Sequence, residues 1–241
     1  MKSYPRWAKP RVAVSLSLAR LLELAVSLVI IFIPGVSAFA QTGATQPQSD
    51  PLVPTEGIQK GWNEFGVWSG VAFQAPTLIG YSPQARFGHL GLRYGRVLAA
   101  NRTLAFEYTI DAIPVAILST KRLTVIKISP GLFSLRENRE SVYGAGLAPV
   151  GLKLNFRRHR RVQPFASGTG GFLYFTEQVP VSGASQFNFT FDFGGGVQIV
   201  NSNRRSFTIG YKFHHISNGY TAAINRGVDV QMIYAGFSIF R

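Results

Sequence analysis

From Asn63 onward, apolar side chains recur at alternate positions in runs of about ten residues, and no stretch sustains a helical spacing. The pattern is plainest where Phe187, Phe189, Phe191 and Phe193 alternate with Asn188, Thr190, Asp192 and Gly194. It repeats where Phe207, Ile209, Tyr211 and Phe213 alternate with Thr208, Gly210 and Lys212. Because successive side chains of a strand point to opposite faces, each run has one apolar and one polar face. Eight such runs are predicted: Asn63 to Phe73, Ala85 to Val97, Arg102 to Ala112, Val142 to Phe156, Val162 to Tyr174, Phe187 to Val200, Ser206 to His215 and Asp229 to Phe240.

The links between runs alternate in length. Short ones are expected near Leu98 to Asn101, Arg157 to Arg161 and Asn201 to Arg205, and long ones at Ile113 to Ser141, Phe175 to Gln186 and Ile216 to Val228. Aromatic, glycine-rich strands joined by short and long links in turn predict an all-β fold, an eight-stranded antiparallel transmembrane β-barrel. In such barrels the short turns face the periplasm, and an even strand count returns both termini to that side. The chain ends Ile239-Phe240-Arg241, with an aromatic next to last, which resembles the terminal signal of outer-membrane barrels. A soluble sandwich or lipocalin-like barrel alternates in the same way with its apolar face turned inward, and alternation alone does not say which face is wet.

The segment before the first run divides in two. Residues 1–40 have the layout of a secretory leader: Lys2, Arg6, Lys9 and Arg11, an apolar run from Leu24 to Ile33, then Ala38-Phe39-Ala40. The apolar run is short for a helical span, which needs about 20 residues, although an uncleaved anchor is the other reading. Residues 41–61, with Thr42, Gln46, Pro47, Gln48, Ser49, Asp50, Pro51 and Pro54, have little to bury and read as a flexible lead-in. The barrel is expected over residues 62–241.

The chain has no cysteine, which excludes thiol nucleophiles, thiolate metal ligands and disulfide staples. Its net charge of +14 falls to +10 once the five cations and one anion of the leader are removed. In an exported protein that charge points to phosphorylated lipid and away from nucleic acid.

The most distinctive chemistry lies in Tyr211-Lys212-Phe213-His214-His215-Ile216-Ser217-Asn218-Gly219 and in Asn225-Arg226-Gly227-Val228-Asp229. On an extended strand His215 and Ser217 share a face about 7 Å apart, within reach of imidazole for hydroxyl. Asp229 begins the next strand, about 4.8 Å away, where its carboxylate would meet the other ring nitrogen. An imidazole that takes the serine proton, and an acid that orients the imidazole, make a nucleophile of an otherwise weak hydroxyl. The amides of Asn218 and Asn225 are candidates to bind the oxyanion. His215 continues the phase of the Phe207–Phe213 series and is expected on the lipid side, whereas His214 points inward. A plainer reading takes Ser217, Asn218 and Gly219 as turn formers and His215 as an interfacial aromatic.

This stretch resembles the lipid A 3-O-deacylase family of outer-membrane barrels, related to acyloxyacyl hydrolases. The family mark is a His, any residue, Ser, Asn string near the end of strand seven with an acid twelve residues beyond the Ser; here these are His215, Ser217, Asn218 and Asp229, with Asn225 at the family's polar position. Looser likeness runs from about Trp62 to Phe240 and includes Asp111-Ala112-Ile113-Pro114-Val115 and Gly144-Ala145-Gly146-Leu147. The resemblance implies His215 as base, Ser217 as nucleophile and Asp229 as orienting acid. It implies an outer-membrane serine esterase that removes an ester-linked acyl chain, the 3-O chain, from lipid A of lipopolysaccharide at the outer leaflet. The acid position departs from the family, which carries Glu where this chain has an aspartate one methylene shorter. A barrel without catalysis that binds or stabilises lipopolysaccharide is the competing reading.

Other features weigh less. Arg157-Arg158-His159-Arg160-Arg161 falls on an expected turn, away from the site, and reads as a solvated turn. Lys121, Arg122, Lys127, Arg136 and Arg139 in the long second outer link are better placed for lipid A phosphates. No His and carboxylate cluster has ligand spacing, so no metal is expected. Nor is an organic cofactor. Gly194-Gly195-Gly196 lacks the lysine and helix of a phosphate loop and is read as easing strand curvature. Partners are expected to be lipid A and the membrane, and pairing with a second copy is left open.

Overall fold

The computed structural model of the chain describes residues 57–241 apart from 74, 75 and 83. The expected leader, and the lead-in as far as residue 56, lie outside the described residues. The rest is an all-strand antiparallel sheet, closed in the order β1 Asn63–Ala72, β2 Arg86–Ala100, β3 Leu104–Ser129, β4 Leu132–Phe156, β5 Val162–Val179, β6 Ser185–Val200, β7 Arg205–Ser217 and β8 Val228–Phe240. Closure comes from β1 pairing β8, with Glu64 opposite Phe240 and Val71 opposite Ile233. Short turns at 101–103, 157–161 and 201–204 share one end with both ends of the barrel sequence, where Asn63 and Arg241 exchange backbone hydrogen bonds of 2.7 and 2.8 Å. This is the turn end; the opposite end is the loop end.

Alternation assigns the faces. Phe187, Phe189, Phe191, Phe193, Phe207, Ile209 and Tyr211 are exposed on the outside, whereas Asn188, Thr190, Asp192 and Lys212 are buried inside. An apolar exterior around a polar interior is the arrangement of a membrane barrel and reverses that of a soluble one. Gly194 and Gly196 let β6 and β7 approach closely: a Cβ on either would lie 2.1 or 2.2 Å from the carbonyl oxygen of Tyr211 or Ile209.

Side chains fill the lumen in layers. Ile58, Val97, Ala105, Val200 and Phe240 close the turn end. The last residues of the expected lead-in, 57–61, are therefore packed: Ile58 is fully buried, its N–H donates to Arg158 O at 3.3 Å, and its carbonyl accepts from Arg158 Nη1 at 2.8 Å. Burying Ile58 takes an apolar side chain from water, a gain that composition alone does not display. Above it Lys153 Nζ lies 2.7 Å from Glu64 Oε2 and 3.2 Å from Glu107 Oε2, with Asn155, Gln198, Ser206 and Ser238 bonded around them. Higher still, Arg93 grips Asp111 with two bonds of 2.8 and 2.7 Å, and Asp192 accepts from Lys212 at 2.9 Å. Near the loop end the interior turns apolar, with Phe87, Leu118, Val142, Phe175, Ile216, Val230 and Met232.

The structure corrects the expected long link at Ile113 to Ser141. That stretch is strand almost throughout, a β3–β4 hairpin turning at Pro130 and Gly131, where Gly131 takes φ 82°. Pro114 suggested a break because it cannot donate to a ladder. It sits instead in a register shift between Ile113 and Ala116, and Pro149 in one between Leu147 and Val150, the irregularities at which proline is tolerated. Neighbour pairing stops at Arg86–Ser119 on one side and Gly144–Phe175 on the other. The remainder of the hairpin is a two-stranded ribbon beyond the sheet.

Candidate functional site

The end of β7 and the start of β8 meet at the loop end. In the ladder His215 stands directly opposite Asp229 and Ile216 opposite Val228. His215 Nδ1 lies 2.6 Å from Asp229 Oδ1, a short charge-assisted contact. The aspartate reaches the ring without the additional methylene because the two residues are direct cross-strand partners. On its other side His215 stands opposite Phe191, with ring centroids 5.0 Å apart. Its phase along β7 is that of the exterior residues Phe207, Ile209 and Tyr211. His214 projects into the lumen, where its Nδ1 lies 3.3 Å from Asp192 Oδ2 and its ring stacks on Phe87 at 5.2 Å.

Asp229 is fully buried although it belongs to the exterior-facing series. The cover is the β1–β2 loop, which lays Leu78, Ile79 and Gly80 over the carboxylate; their N–H groups donate to Oδ2 at 2.8, 2.6 and 2.9 Å. Sequence reasoning missed this segment. Backbone donors bear no residue signature, and Gly80, where a side chain would collide with Gly227, was the one available cue.

Ser217 ends β7, opposite Phe189 and on the same exterior phase as His215. Its hydroxyl lies 3.2 Å from Asn225 Oδ1 and 3.1 Å from Asn225 Nδ2, and accepts from Gly219 N at 3.1 Å. Among the described residues no hydrogen bond joins Ser217 to the His215 ring. Asn225 thus sits against the hydroxyl, and its Oδ1 also accepts from Asn218 N at 3.2 Å.

The Asn218 side chain departs from the expected oxyanion role. Its Nδ2 donates to Ile224 O at 2.8 Å and its Oδ1 accepts from Tyr220 N at 3.0 Å, so both ends of the amide are committed to the 218–224 loop. Asn218 is buried and shapes the turn that presents Ser217. Loop formation wins because Asn readily bonds backbone two residues on. Gly219, at φ 61°, lets the chain turn away just after the serine.

The two basic segments lie in different parts of the barrel. The turn with Arg157 to Arg161 lies at the end remote from Ser217, and the Arg158 side chain bonds Asn101 O and Ile58 O across the turns. Lys121, Lys127, Arg136 and Arg139 lie along the β3–β4 hairpin, Lys121 paired to Glu137 at 2.8 Å. Among the described residues no group of three or more His, Cys, Asp or Glu side chains is arranged to hold a metal ion.

Comparison with known proteins supplies the context. The barrel is similar to the crystal structure of the outer membrane enzyme PagL, with a TM-score of 0.51 and 15% identity over 71% of this chain and 97% of that one. Outer membrane protein OprG from Pseudomonas aeruginosa matches at a TM-score of 0.47 and 12% identity, over 77% of this chain and 98% of that one. Neisserial surface protein A matches at 0.40 and 11%, over 74% of this chain and 95% of that one. No curated protein matches the chain. The family model described as lipid A 3-O-deacylase (PagL) matches residues 120–238. The match spans both strands of the site and their connecting loop, and stops short of the covering segment at Leu78 to Gly80. Pairing of two copies finds no support in these likenesses. Over residues 120–238, with His215, Ser217 and Asp229 among them, this barrel is similar to the lipid A 3-O-deacylase family.

Proposed function

We propose that the protein is an outer-membrane serine esterase that removes an ester-linked acyl chain, the 3-O chain, from lipid A of lipopolysaccharide. The observation that carries this reading is the 2.6 Å contact between His215 Nδ1 and Asp229 Oδ1 on the apolar exterior, two positions before a serine on the same face. A turn former and an interfacial aromatic do not require a buried carboxylate fixed against the ring. The family match over the same residues supports the substrate class and the acyl position.

In the proposed reaction Ser217 Oγ attacks the ester carbonyl while its proton passes to His215 Nε2. Asp229 stabilises the imidazolium and keeps Nδ1 protonated. The hydroxyl, held at rest by Asn225, turns about its Cα–Cβ bond toward the ring when the ester arrives; such contacts commonly tighten only once substrate binds. Asn225 Nδ2 and Gly219 N–H, each 3.1 Å from the hydroxyl, are the donors placed to receive the oxyanion. Collapse of the tetrahedral intermediate breaks the C–O bond, His215 returns its proton to the leaving alkoxide, and water drawn on by His215 then releases the fatty acid. Because the site lies outside the barrel wall, an acyl chain would remain in the bilayer while its ester reaches Ser217.

Orientation follows from the same reading. Short turns and both ends of the barrel sequence face the periplasm, so the loop end and the site face the outer leaflet. Lys127 and Arg136 on the exposed hairpin would then lie near the phosphates of lipid A.

The test is the mass of lipid A after purified protein is mixed with lipopolysaccharide. Loss of one hydroxyacyl chain with the parent protein, and none with Ser217→Ala, is the expected pair of results. Unchanged lipid A with both proteins would favour the lipopolysaccharide-binding barrel without catalysis.

A further inference from the structure

Asp229 Oδ2 is held by backbone donors. Leu78, Ile79 and Gly80 converge three consecutive N–H groups on the single oxygen Oδ2, leaving Oδ1 for His215. Successive amides aimed at one point form an anion cradle of the kind that otherwise holds phosphates or carboxylate ligands. Here the anion is a side chain of the same protein, drawn from about 150 positions further along the chain.

The fit is backbone against backbone. A Cβ on Gly80 would lie 2.7 Å from the carbonyl carbon of Gly227 and 2.8 Å from Val228 N, the two residues that lead into Asp229. Gly227 takes φ 59°, and a Cβ there would meet Gly80 Cα and His215 Cε1 at 3.2 Å. Tyr81 N–H donates to Arg226 O at 2.6 Å and fastens the next residue. The N–H groups of Leu78 and Ile79 face the carboxylate while their side chains are exposed, 72% and 53%. Side-chain packing therefore does not account for where this segment lies.

We propose that the segment from Leu78 to Gly80 is the positioning element of the acid: it fixes Oδ2 so that Oδ1 stays on His215, and Gly80 is the residue whose lack of a side chain admits it. The inference rests on the esterase reading and deepens it by adding a positioning element from the β1–β2 loop, outside the family match. A free aspartate turns about two bonds and can leave the imidazole. With one oxygen held by three donors that rotation is closed, and the ring keeps the tautomer in which Nε2 can take a proton. The three residues act through Asp229 and are not themselves catalytic.

The experiment compares the parent, Gly80→Ala, Asp229→Ala and the double variant in detergent, with activity and nuclear magnetic resonance read on each. Gly80→Ala should lower kcat by about 10- to 100-fold with KM little changed, as misplacement of a catalytic group does. It should also abolish the low-field proton signal of His215 Nδ1–H while the other barrel amides keep their positions. In the Asp229→Ala background, Gly80→Ala should add nothing. A low-field signal that survives Gly80→Ala, or an equal fold-loss in both backgrounds, overturns the proposal. If Gly80→Ala does not fold, amide exchange of Leu78, Ile79 and Gly80 decides: faster in Asp229→Ala than in the parent supports the cradle, and equal exchange refutes it. The resonance and exchange readouts need no turnover. A protein with the cradle but no ester hydrolysis would therefore sink the esterase reading alone.

Discussion

His215 and Asp229 are direct partners across β7 and β8, and their side chains meet at 2.6 Å between Nδ1 and Oδ1. The separation is set by the ladder, not by a flexible loop. The aspartate carboxylate reaches the ring because the strands bring the two residues opposite each other, and backbone from Leu78 to Gly80 lies against its other oxygen.

Lengthening the acid is therefore expected to harm. Asp229→Glu adds about 1.5 Å of reach in a site closed on both sides, an overpacking that typically costs about 1–3 kcal/mol. Ester release from lipopolysaccharide should fall at least about tenfold as the imidazole or the cradle is displaced. Activity at or above the parent level would show that the cradle yields freely.

Asp229→Asn keeps the size and removes the charge. The orienting bond would then favour the wrong tautomer of His215, and kcat should fall by about 10³- to 10⁴-fold, measured as fatty acid released per protein.

The two adjacent histidines should separate cleanly. His215→Ala is expected to abolish ester release with the barrel intact. His214→Gln, on the lumen side beside Asp192 and Phe87, is expected to leave release unchanged and to cost stability of about 1–3 kcal/mol, read from denaturant unfolding in detergent. Equal loss of activity in both would mean that the faces are not independent.

Lys153 holds Glu64 and Glu107 together inside the lumen at 2.7 and 3.2 Å. Lys153→Met leaves two buried carboxylates without their cation and should lower unfolding stability by about 3–5 kcal/mol. Specific activity of the folded fraction should be retained, since the network sits in the lumen toward the end opposite Ser217.

Charge reversal on the exposed hairpin, Lys127→Glu with Arg136→Glu, should weaken binding of lipopolysaccharide vesicles by about 1 kcal/mol for each cation lost, more at low salt than at high. Unchanged binding at low salt would remove the hairpin from substrate capture.

Much of the fold was legible because alternation is a local property. Phe187 to Phe193 and Phe207 to Phe213 declared their faces one residue at a time, and the short turns after β2, β4 and β6 fell where expected. The long β3–β4 hairpin was not legible, since Pro114 reads as a strand breaker until a register shift absorbs it. His215, Ser217 and Asp229 could be grouped from spacing because neighbouring strands convert sequence distance into cross-strand distance. The roles of Asn218 and of Leu78 to Gly80 could not. The first turns on which of two partners an amide prefers, and the second on backbone donors brought in from another loop.

The most direct measurement is the site of covalent capture by a long-chain alkyl phosphonofluoridate, which reacts with an activated serine and stays bound. Peptide masses should show the phosphonate on Ser217 in the parent protein and no label there in His215→Ala. A parent protein left unlabelled at Ser217, or a label that persists without His215, would contradict the account.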